Sequence, residues 1–162
     1  MLASDNMFGS EYEPKKSKNA ISLDVAIQEY EALCEDYRNP NVDNKELFVY
    51  LIEKALLEYD REKSEIVYRL ERPIKNLNKG MLTEIRLRRP KAKDMYDITR
   101  KKKNQLKISR NQNVEVDYSP EKESLDNMFS VLTVLGGIPD GVSMELDYRD
   151  VENLVAVTSF LS

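Results

Sequence analysis

The chain of 162 residues contains no histidine, no tryptophan and a single cysteine. Without histidine it lacks the side chain that most often acts as general base near neutral pH, and also the commonest metal ligand. Cys34 alone cannot build a zinc site of the usual kinds or an intrachain disulfide. Glycine is scarce, with five residues. The stretch "LGGIPDG" follows a helical pattern and has neither the spacing nor the lysine of a phosphate-binding loop. An enzyme built from this chain would depend on carboxylates, lysines and tyrosines. The expectation is a protein without catalysis, metal or cofactor.

Long apolar runs are missing as well. No stretch approaches the roughly 20 apolar residues that span a bilayer. The first ten residues, "MLASDNMFGS", show no basic segment leading into an apolar one, as a secretory signal would. The reading is a soluble, intracellular protein. Charge is abundant: 33% of residues are charged against 41% hydrophobic, with a net charge of −4. The length fits one domain able to bury a core, and the charge points to polar segments attached to it. A net negative balance argues against a general polyanion binder.

Residues 1–20 are polar and patternless and read as a disordered tail. From Ser22, a suitable N-cap, the spacing Leu23, Ala26, Ile27, Tyr30, Leu33, Cys34, Tyr37 is helical, and Cys34 reads as helix core. "RNPN" stops that helix. Asp43 with Glu46 has the form of a capping box and predicts a second helix to about Arg61, so that residues 21–62 form a helical hairpin. The period then changes. "EIVYRLERPI" and "LTEIRLRR" alternate on either side of "KNLNKG", which reads as a β-hairpin needing helices on its apolar face or another chain at its edge. A short helix from about Lys93 to Lys103, with Met95 and Ile98 inward, leads into a basic connector over about 100–118. Ser119-Pro120 opens the next helix, whose stripe of Leu125, Met128, Phe129, Leu132 and Leu135 is widened by Val131 and Val134. Asp147 and Asp150 open a final helix carrying Val151, Leu154, Val155, Val157, Phe160 and Leu161. The fold class is α+β, mostly helical, with the hairpin packed on helices in a core of residues 63–162. No repeats are present.

Three groups of residues are candidates for function. Asp147, Asp150 and Glu152 cluster, and occupy the first turn of a helix, where negative charge and capping are favourable. The run Arg86, Arg88, Arg89, Lys91, Lys93, Arg100, Lys101, Lys102, Lys103, Lys107 and Arg110 is the one charge anomaly. Six of these, Arg100 to Lys103 with Lys107 and Arg110, are the candidates for a polyanion patch. Base-stacking aromatics are almost absent from it and the acidic stretch Glu115 to Asp126 follows, so a solvated or protein-facing patch is the preferred reading. The two C-terminal helices are apolar on several faces, which means full burial or a partner. On the partner reading, Met128, Val131, Val134, Val157 and Phe160 make the contact, with Val157 and Phe160 toward the edge of the last helix.

The order of segments from about Ile66 to Leu161 resembles the tail assembly chaperone family of Mu-like and P2-like contractile-tailed phages. The resemblance rests on Leu70, Pro73 and Ile74 ending one strand, and on Arg88, Pro90 and Asp94 at the end of the next. It continues with Leu146, Asp147 and Asp150 opening the closing helix, which ends in Phe160 and Leu161. Members often carry Thr or Ser after the proline; here the residue is Lys91. The segment before Glu65 and the basic connector are additions to the pattern. The resemblance implies a non-enzymatic helper that binds the tape measure protein, keeps it soluble and promotes assembly of the tail tube around it. It implies the tube protein as a further partner, a homo-oligomer as one state, action in the bacterial host cytoplasm and absence from the mature virion. The competing reading is a prophage-encoded regulator that binds nucleic acid through the basic connector.

Overall fold

A computed structural model describes residues 21–40, 42–111 and 119–162. The expected tail over residues 1–20 lies outside the described residues, as do residues 112–118 of the connector. Helix α1 spans Leu23–Tyr37 and is capped by Ser22, whose hydroxyl accepts from the Val25 N–H. It stops at Arg38, which adopts a left-handed conformation with φ 51°. A 3-10 turn over Val42–Asn44 leads into α2, Lys45–Glu53. The two helices pack together, with Ala26, Tyr30 and Leu33 facing Phe48, Leu51 and Ile52 in one core.

The second helix is shorter than its apolar pattern predicts. Ala55 takes φ 60°, a conformation that ends helices, and Leu57–Asp60 then forms strand β1. Leu57 and Tyr59 are buried while Glu58 is exposed, a period of two hidden inside what reads as a helical run. Strand β2, Glu65–Lys75, and strand β3, Met81–Arg88, form the expected hairpin, joined by a 3-10 turn over Leu77–Lys79. Gly80 completes that turn at φ 81°, where a side chain would be strained. The sheet is an antiparallel meander in the order β1-β2-β3. Two cross-strand rows, Leu57–Tyr68–Ile85 and Tyr59–Ile66–Leu87, are buried against the helices.

The pairing of β2 with β3 shifts between Arg69 and Ile74. This bulge holds Pro73, which has no N–H to give to a ladder and is tolerated where the ladder is interrupted. Helix α3, Ala92–Asn111, runs further than the expected end near Lys103. No glycine or proline occurs between Lys91 and Ser119 to stop it, so much of the basic stretch is helix. Ile98 points inward as expected, but Met95 is exposed. Helix α4, Pro120–Gly136, has Ser119 as N-cap and ends at Gly137 with φ 66°. A short helix α5, Asp140–Ser143, precedes α6, Tyr148–Leu161. Helix α4 packs on α6, α3 and β3, and α6 also packs on β2. The α+β, mostly helical class is what the structure has.

Candidate functional site

Two of the motif carboxylates sit at the joints of this fold. Asp150 lies in the first turn of α6 and is fully buried. Its Oδ1 accepts from the Tyr68 hydroxyl at 2.7 Å and the Glu71 N–H at 3.0 Å; its Oδ2 accepts from the Arg72 N–H at 3.2 Å. Asn153 Nδ2 adds a donation to the Tyr68 oxygen at 2.9 Å. The bulge of β2 leaves backbone N–H groups without a strand partner, and the carboxylate satisfies two of them. Burial, opposed in part by the Asn153 donation and helped by Asp150, pushes the Tyr68 phenol well above its ordinary range, so it stays protonated as a donor. Asp150 therefore does not cap its own helix. That role falls to Asp147, which accepts from the Arg149 N–H at 3.2 Å, and Leu146 before it is buried.

Asp94 sits at the opposite corner, where β3 turns into α3. Arg88 holds it with both guanidinium arms, the Nη2–Oδ1 contact measuring 2.7 Å. The same Arg88 Nη2 donates to the Val134 carbonyl of α4 at 3.1 Å. Asp94 Oδ2 also accepts from the Lys91 N–H at 2.8 Å. Lys91 has no capping oxygen, yet the acid three residues on closes the helix start from within, one half of a capping box. Pro90 ends the strand between them. The Arg88 contact first, and the Lys91 N–H second, hold the Asp94 carboxyl down at about 2. Of the motif residues, Arg88, Asp94, Asp147 and Asp150 thus make the contacts described, Pro73 lies in the bulge and Leu146 is buried.

The residues expected to meet a partner lie elsewhere than expected. Met128, Val131, Val157 and Phe160 are buried, and only Val134 is half-exposed. Phe160 packs against Tyr37 and Phe48, with ring centroids 5.6 and 5.5 Å away. It bridges the closing helix to the N-terminal helices, so the apolar excess of α6 is consumed by a second layer of core. Its half-buried shoulders are Val151 and Val155. Beside Val155 runs an open groove of about 640 Å³ between the start of α2, the start of α4 and the outer side of α6. Leu47, Val155 and Ala156 line it, with Lys102, Glu123 and Glu152 among its charged residues.

The basic run is partly spoken for. Lys101 Nζ pairs with Asp140 at 2.8 Å and Lys102 Nζ donates to Asn127 Oδ1 at 2.7 Å, both tying α3 to the segment around α4. Arg86 lies near Asp60, Glu65 and Glu84, and Arg89 stacks over the Tyr37 ring at 4.9 Å. Arg100 and Lys103 are exposed. The side chains of Lys107 and Arg110 lie outside the described residues. Among the described residues no group of His, Cys, Asp and Glu is placed to hold a metal, and no helix is long and apolar enough to cross a membrane.

What sequence reasoning missed is the pairing of Tyr68 with Asp150. The signal that could have found it is a tyrosine on the core face of a strand, since a buried hydroxyl needs an acceptor.

No curated protein and no solved structure matches the chain. A family model described as "Phage tail assembly chaperone proteins, E, or 41 or 14" matches residues 67–162. That span opens at the strand carrying Tyr68 and closes with α6, so it holds both carboxylate joints and all of their side-chain partners. The chain belongs to the phage tail assembly chaperone family.

Proposed function

We propose that this chain serves phage tail assembly as a non-enzymatic chaperone of the tape measure protein, binding it, keeping it soluble and promoting assembly of the tube around it. The observation that carries the reading is the open groove beside α6, within the family-matched part of the chain for most of its length. Its apolar lining of Leu47, Val155 and Ala156, bordered by charges of both signs, suits one face of an amphipathic helix. A tape measure is a long helical chain with apolar stripes that need cover until the tube encloses them. On this reading the protein acts in the host cytoplasm, meets the tube protein in passing and does not remain in the virion.

The test is co-expression with the tape measure protein of the same phage. The chain should copurify with that protein and raise its soluble yield. Ala156→Arg, which fills the groove from an incompletely buried position, should abolish copurification while leaving the thermal melt close to wild type. A tape measure equally insoluble with and without the chain would refute the proposal. Undiminished copurification by Ala156→Arg would move the site away from the groove.

A further inference from the structure

Helices α1 and α3 carry opposite charge. Within Leu23–Tyr37 there are five acidic residues and no Lys or Arg; within Ala92–Asn111 there are seven Lys and Arg against two Asp. The outward stripes have the same spacing. On α1, Asp24, Gln28, Glu31 and Glu35 are exposed and follow at steps of four, three and four. On α3, Tyr96, Arg100 and Lys103 are exposed at steps of four and three. Such steps keep residues on one face of a helix. Both helices also expose apolar residues near these stripes: Leu23 and Val25 are 51% and 48% exposed, and Tyr96 and Met95 66% and 38%.

We propose that these two stripes dock on one another between copies, α1 of one protomer lying along α3 of the next. The exposed acids Asp24, Glu31 and Glu35 then face Arg100 and Lys103. The interface is heterologous, since the surfaces that meet are different, and it propagates from copy to copy into a ring or an open chain. The exposed apolar area is small, so association is weak and depends on charge. The inference is independent of the tape measure reading: self-association can be present or absent whatever the groove binds.

Sedimentation velocity on the nuclease-treated full chain tests it. Association should grow with concentration near 0.01 M salt, where charges act over about 30 Å, and vanish near 1 M, where they act over about 3 Å. Glu31→Lys/Glu35→Lys should weaken it by about tenfold or more, as should Arg100→Glu/Lys103→Glu. Mixing these two variants should restore it, because each then meets a complementary stripe on the other. All of these positions are exposed, and circular dichroism melts check that both variants fold. A wild-type chain that stays monomeric at low salt, association that needs nucleic acid, variants that associate as wild type does, or a mixture that stays monomeric would each overturn the proposal.

Discussion

The two carboxylate joints, Asp150 against the β2 bulge and Asp94 at the β3–α3 corner, use the same side chain in opposite ways. Asp150 has no cationic partner among the described residues; its partners are a phenol and two backbone N–H groups 78 to 82 residues away in the chain. Asp94 has a guanidinium and the N–H of a residue three positions earlier. The first carboxylate repairs a defect in the sheet and so binds the closing helix to it. The second starts a helix and, through Arg88, fastens α4 to the strand end. A buried acid without a cation depends on every donor being present, whereas an ion pair open to solvent on the arginine side has water as a substitute.

The largest effect expected from this contrast is at Asp150. Asp150→Ala would strand the Tyr68 hydroxyl and the N–H groups of Glu71 and Arg72, and should cost about 3 kcal/mol or more. Asp150→Asn keeps one acceptor oxygen and should fall between. Urea denaturation of the three proteins gives the order directly. If Asp150→Ala melted within about 0.5 kcal/mol of wild type, the bulge N–H groups would have to find other acceptors, and the distinction between the two joints would fail.

A smaller effect, with a pH signature, belongs to Asp94. Asp94→Asn loses the Arg88 ion pair but can still accept from the Lys91 N–H. The Arg88 side chain is 43% exposed, so the loss at neutral pH should be about 1 kcal/mol. Folding lowers the Asp94 carboxyl from its ordinary 3.8 to about 2. A lowered folded value means the contribution is complete above the unfolded value and disappears as pH falls through the folded one. The stability gap between wild type and Asp94→Asn should therefore hold from neutral pH down to about 4 and close toward pH 2. Denaturation midpoints across that range check it; a gap that widens on acidification would have the wrong sign.

Much of the frame around these joints is legible from local pattern. The helical spacing from Leu23 to Tyr37, the alternation of Ile66, Tyr68 and Leu70 and the cap at Ser119 each encode their own element. Strand β1 is not legible, because Leu57 and Tyr59 follow a helix without any Gly or Pro between. What makes them a strand is the neighbouring β2, a tertiary effect. The burial of Phe160 is illegible for a related reason. Phe160 looks surplus on its own helix, and only the N-terminal helices, which supply Tyr37 and Phe48, bury it. The motif positions were readable as landmarks, and their work was not. Nothing in the stretch around Asp150 names Tyr68, 82 residues away.

The smallest effect should come from the motif's other acid, and it isolates what burial adds. Asp147 and Asp150 lie three residues apart at the head of one helix, and by sequence both are first-turn carboxylates of equal standing. Asp147 is a partly exposed N-cap whose carboxylate accepts from the Arg149 N–H at 3.2 Å. Serine caps about as well as aspartate, so Asp147→Ser should change stability by less than about 0.5 kcal/mol, and Asp147→Ala should cost about 1 kcal/mol. Asp150→Ser, with an oxygen too short to reach Tyr68, Glu71 and Arg72 together, should behave like Asp150→Ala. The same substitution would then be silent at one aspartate and severe at the other. Equal losses from Asp147→Ser and Asp150→Ser in urea denaturation would mean that both act through the helix terminus alone, and that the bulge contacts add nothing to holding α6 against β2.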